Sequence, residues 1–90
     1  MLGKTKTLTP CAAFGQTLRE LRRERGLSQE ALALEAGLQR NYISLIERGV
    51  NQPTITTVFK LASALAIRPS EVIARVEMQT NQPHSTGGLT

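Results

Sequence analysis

At 90 residues the chain is long enough for one domain, and the roughly 65 residues that look structured suffice for a single small core that oligomerisation would help to stabilise. Hydrophobic residues make up 40% and charged residues 20%, a globular composition; with two Phe, one Tyr and no Trp, the interior has to be built from Leu, Ile, Val and Ala. Eleven Lys and Arg against seven acids, all Glu, give a net charge of +4, which favours a polyanionic partner. The excess lies in the first 27 residues, where Lys4, Lys6, Arg19, Arg22, Arg23 and Arg25 face only Glu20 and Glu24; the remainder sums to zero. Charged helix faces are more often simply solvated, so the charge alone decides nothing. The single Cys11 excludes an internal disulfide, no apolar run nears the ~20 residues of a bilayer span, and the N-terminal residues lack a signal-peptide core. A reducing, cytoplasmic setting is expected, with no membrane partner.

Residues 1–8 are polar and basic without periodicity and read as a flexible arm, and residues 79–90 have the composition of a disordered tail. Between them, over 9–78, helix punctuation recurs and no stretch alternates with a strand's period of two. Thr9 and Pro10 form an N-cap and first-turn signal, Phe14, Leu18 and Leu21 share a face, and Gly26 is a stop, which predicts a helix over about 10–25. Ser28 caps a second helix with Leu32, Ala33 and Ala36 on its apolar side and Gly37 as its end, although Ala31 stands where a capping box requires Glu or Gln. A third helix, about 39–48, carries Tyr42, Ile43 and Ile46 at core spacing and stops at Gly49. Thr54 caps a fourth with the clearest apolar stripe, Ile55, Val58, Leu61, Ala62 and Leu65. A fifth starts at Pro69 and displays Val72, Ile73 and Val76, with Arg68 in place of a capping Ser or Thr.

Five short helices on short connections predict an all-α, compact bundle in which each helix buries one stripe. Only Gly37 and its neighbours join the second helix to the third, and a turn of three or four residues containing Gly is the signature of a helix-turn-helix. From Leu27 to Gly49 the pattern Ser-Gln-Glu, Leu-Ala, Ala-Gly-Leu and Tyr-Ile-Ser-x-Ile-Glu-Arg-Gly resembles the phage-repressor and Cro-like (Xre) family of helix-turn-helix regulators. Leu-Arg-Glu-Leu-Arg before it, and Pro-Thr, Leu-Ala-Ser-Ala-Leu and Pro-Ser-Glu after it, extend the resemblance to about residues 12–77. Ala-Phe-Gly before the motif and Arg-Asn-Tyr-Ile-Ser within it most resemble the stand-alone controller proteins of restriction-modification systems. The resemblance implies a lambda-repressor-like DNA-binding domain and a transcriptional regulator, repressor or dual repressor and activator.

The positions also carry a physical argument of their own. A recognition helix must turn polar side chains at its N-terminal end to base edges in the major groove while its other face stays in the core. Gln39, Arg40, Asn41 and Ser44 fall on the leading, outer side of the third helix, and Ile43 and Ile46 on the inner side. Arg pairs bidentately with guanine and Asn with adenine, so Arg40 and Asn41 lead as base readers. Tyr42 is expected to be shared, its ring at the edge of the core and its hydroxyl towards a phosphate. Phosphate contacts on both flanks call for donors at the start of the second helix, Gln29, and after the third, Arg48, Asn51, Gln52 and Thr54. For Asn51 and Gln52 ordinary turn chemistry is an equal reading; for Gln29 and Arg48 the resemblance favours contact. It also implies that Glu47 turns inward to pair with Arg22, because a carboxylate facing the DNA would be repelled.

No His, Cys or acidic cluster has metal-ligand spacing, and no Gly-rich phosphate loop or nucleophile constellation is present, so neither a cofactor, a small-molecule ligand nor catalysis is expected. Val72, Ile73 and Val76 form a stripe that either makes a two-fold interface or completes the core of the monomer. In the first case a homodimer sets two recognition helices about 34 Å apart on an approximately palindromic site. The competing functional reading is a protein-interaction module, the antitoxin of a toxin-antitoxin pair, which uses the same fold.

Overall fold

In the computed structural model, which describes residues 8–80, the first helix, α1, runs Pro10–Glu24. Thr9 takes extended backbone and its hydroxyl accepts the Ala12 N–H at 3.2 Å, while Pro10 occupies a first-turn position that needs no donor. The same local logic starts α2, Gln29–Ala36, where the Ser28 hydroxyl accepts the Ala31 N–H at 3.0 Å. Gly37 ends α2 in the left-handed region (φ 70°, ψ 34°), and the Leu38 N–H reaches back to the Ala33 carbonyl at 2.9 Å, which closes the helix end. Only Leu38 and Gln39 then separate that glycine from α3, Arg40–Glu47; Gln39 is extended and makes no side-chain cap bond.

Thr54 starts α4, Ile55–Ala64, by accepting the Thr57 N–H at 3.1 Å. The last helix, α5, spans Pro69–Gln79. Arg68 has no acceptor to offer its first turn, but the Glu71 carboxylate reaches back to the Arg68 N–H at 3.2 Å, so half of a capping box replaces the missing Ser or Thr. The helix passes the expected domain edge because Gln79 is held by α1, donating to Glu20 at 2.9 Å and accepting from Gln16 at 2.9 Å. Residues 1–7 and 81–90, most of the expected arm and tail, lie outside the described residues; Leu8, placed with the arm by sequence, packs against the core.

Among the described residues there are five helices and no strand, as expected of an all-α bundle. The core gathers one stripe from each helix: Leu18 of α1, Leu32 of α2, Ile43 and Ile46 of α3, Leu61 of α4 and Val72 of α5 are all essentially without solvent exposure. Helix α1 packs on α3 and α5, α2 bridges α3 and α4, and α4 meets α5. Gly15 makes the α1–α3 approach possible, because a β-carbon there would lie 2.8 Å from the Glu47 carbonyl oxygen and closer still to that of Ile46.

Candidate nucleic-acid interface

Helix α3 divides into two faces. Ile43 and Ile46 are fully buried, and opposite them Gln39, Arg40 and Asn41 stand exposed at the N-terminal end, with Ser44 half-buried one turn on. The inner pair anchors the helix, and the Gly37 turn sets its angle to α2. Its leading end therefore projects a guanidinium and two carboxamides into solvent. Arg48, the C-cap of α3, and Gln52 are exposed, and Asn51 is half-buried.

At the other end of α3 a polar cluster locks three helices. The Glu47 carboxylate is shielded from solvent and accepts Arg22 Nε at 2.6 Å and Nη2 at 3.0 Å, a bidentate pair. Arg22 Nη1 donates to the Leu27 carbonyl at 2.9 Å, so each of its nitrogens has an acceptor. Gln29 Nε2 also donates to Glu47 Oε1, at 3.0 Å, and Arg19 Nε lies 3.5 Å from the same oxygen. Burial opposes the charge on Glu47, but the hydrogen bonds from Arg22 and Gln29 and the charges of Arg22 and Arg19 outweigh it, holding its carboxyl below the usual range. The bond to Glu47 raises Arg22 in turn, against the effect of burial.

Some of the residues singled out in the sequence have internal duties. Gln29 commits one amide hydrogen to Glu47 and keeps the other. Thr54 serves as a cap and donates its hydroxyl proton to Thr57 Oγ1 at 3.0 Å, so its hydroxyl is engaged within the fold. Tyr42 packs half-buried against the core with its hydroxyl 3.5 Å from Thr57 Oγ1, long for an O–H···O bond. The loop after α3 is tied back to α1, since Cys11 Sγ lies 3.6 Å from the carbonyl oxygens of both Gly49 and Asn51.

The three valine and isoleucine positions of α5 separate. Val72 and Val76, 2% and 8% exposed, belong to the monomer core, because residues four apart share a helix face and that face meets α1 and α4. Ile73 points the other way, 47% exposed, on a molecule that also exposes Ile55 and Phe59 of α4 and lines a shallow apolar groove with Pro10, Pro53 and Ile55. Sequence reasoning missed the approach of Arg19 to Glu47; the available signal was its position three residues before Arg22, on the same face of α1.

Residues 18–72 match the family model HTH_3, helix-turn-helix, over more than half of the chain. The chain belongs to the HTH_3 family. It is 39% identical over 61 residues to the control protein C.BamHI of Bacillus amyloliquefaciens, covering 67% of this chain and 75% of that protein. Among solved structures, the restriction-modification controller protein C.AhdI of Aeromonas hydrophila superposes with a TM-score of 0.68 at 48% identity, over 69% of this chain and 94% of that one. The biofilm master regulator SinR, solved in complex with DNA, superposes with a TM-score of 0.64 at 31% identity, over 67% of this chain and 97% of that one. The matched HTH_3 segment contains α2, the Gly37 turn and α3 entire, together with the Arg22–Glu47 pair.

Proposed function

We propose that this chain is a transcriptional regulator, not an enzyme, that binds a specific double-stranded DNA site as a homodimer in the cytoplasm. One observation carries the reading: the end of α3 that follows the Gly37 turn exposes Gln39, Arg40 and Asn41 while Ile43 and Ile46 hold the helix in the core. That is the arrangement by which a recognition helix reads base edges in the major groove. Arg40 and Asn41 are the leading base readers, with Gln39 and Ser44 beside them. Gln29 through its second amide hydrogen, Arg48, Gln52, Asn51 and the Tyr42 hydroxyl serve the phosphates on either flank. Ile73, with Ile55 and Phe59, supplies apolar surface for the two-fold interface, and the operator is approximately palindromic. The likeness to C.BamHI and C.AhdI supports a controller of a restriction-modification system over an antitoxin.

Selection of bound sites from random duplex DNA, repeated at several salt concentrations, tests the reading. The expected result is an approximately palindromic consensus and a logarithm of affinity that falls linearly with the logarithm of salt concentration. Recovery of no consensus, or an affinity indifferent to salt, overturns it.

A further inference from the structure

The arginines near Glu47 and on α1 differ in how their donors are engaged. Arg22 is internal, with its nitrogens bonded to Glu47 and the Leu27 carbonyl and its side chain only 11% exposed. Arg25 donates to the Leu65 carbonyl at 2.6 Å and covers the end of α4. Arg19 is partly exposed and paired only by charge: its Nε lies 3.5 Å from Glu47 Oε1, its side chain is 42% exposed, and none of its nitrogens donates a hydrogen bond among the described residues. Two guanidinium charges and one carboxylate meet here, so the cluster keeps a surplus positive charge, and its outward part sits on Arg19. Gln29 Nε2 closes on the same Glu47 oxygen, so Arg19 and the first residue of α2 stand side by side.

We infer that Arg19 is a phosphate-contacting residue of the DNA interface, aimed by Glu47, which extends the backbone contacts from the start of α2 onto α1; this rests on the DNA-binding reading above. The charge of Glu47 draws the Nε of the guanidinium to 3.5 Å, and the terminal nitrogens, which donate to nothing among the described residues, are available to pair bidentately with phosphate oxygens. The ion pair biases the side chain towards this position, so it loses less rotamer freedom on binding than an arginine with no partner. The contact is to backbone, so it adds affinity without base preference.

The test measures binding of the full chain to a short duplex of random sequence by fluorescence anisotropy across a salt series. Arg19→Gln is expected to make the slope of log affinity against log salt shallower by about 0.9, the release associated with one phosphate contact, while Arg19→Lys retains the slope. Arg75→Gln removes the same unit of charge from the α1–α5 seam and is expected to leave the slope at its wild-type value. Thermal unfolding of Arg19→Gln near the wild-type midpoint accompanies the expected result and separates a contact from a role in folding. An unchanged slope in Arg19→Gln, or an equal loss in Arg75→Gln, overturns the inference. A wild-type chain whose binding shows no salt dependence instead removes the DNA-binding reading on which the inference rests.

Discussion

Removing the Glu47 carboxylate leaves Arg22 with only the Leu27 carbonyl for a set of donors aimed at the interior. Loss of one member of a buried pair strands the other, so Glu47→Ala is expected to destabilise the fold by about 3 kcal/mol in chemical denaturation, and a loss well under one defeats the assignment. The same carboxyl makes stability depend on acid. Its folded-state value lies below the ordinary one, so its contribution is complete above the ordinary carboxylate value of about 4.3 and is lost as pH falls through the lower, folded value. Glu47→Gln is therefore expected to flatten part of the acid limb of a stability-against-pH curve; an unaltered limb counts against the mechanism. At the same scale, the proposed base-reading role of Arg40 is tested on DNA. Arg40→Ala is expected to weaken operator binding by about 1–3 kcal/mol and to relax preference at one base pair, which repeated site selection with the variant reads directly.

At the scale of elements, two glycines do different work. Gly37 sits where a β-carbon would meet nothing within 4 Å, so its requirement is conformational: the left-handed turn at φ 70° joins α2 to α3. Gly37→Ala is expected to destabilise by about 1–2 kcal/mol while the variant still packs and binds DNA. Gly15 lies inside α1 without a positive φ, and its requirement is contact with the α3 backbone. Gly15→Ala pushes α1 away from the helix that carries Arg40 and also loosens Arg22 from Glu47. It is expected to lower both the unfolding midpoint and the operator affinity, the first by overpacking of about 1–3 kcal/mol. Parallel thermal melts and anisotropy titrations on the two variants separate turn strain from helix displacement. Equal losses of affinity in both count against a special role for the α1–α3 contact.

For the whole molecule, the split within α5 distinguishes folding from assembly. Val72→Ala is expected to lower monomer stability by about 2 kcal/mol because it empties core space, whereas Ile73→Glu leaves the fold intact and shifts sedimentation towards a monomer. An Ile73→Glu chain that sediments like the wild type removes Ile73 from the interface. The sequence determined the elements and their order, because the signals that start and stop these helices act within a turn of themselves. Thr9, Ser28 and Thr54 each cap a backbone amide three residues on, and Gly37 ends α2 through its own dihedral angles. It also placed Arg40 and Asn41 on the outer side of α3, since helical periodicity assigns a face once Ile43 and Ile46 are known to be buried. The family resemblance also implied the Arg22–Glu47 pair, but packing alone sets which side of α5 meets the core, makes Gly15 a contact between helices, and brings Arg19 and Gln29 to the carboxylate that Arg22 already holds. Those outcomes depend on how separate elements pack, and residues on different helices share no local signal that would announce their meeting.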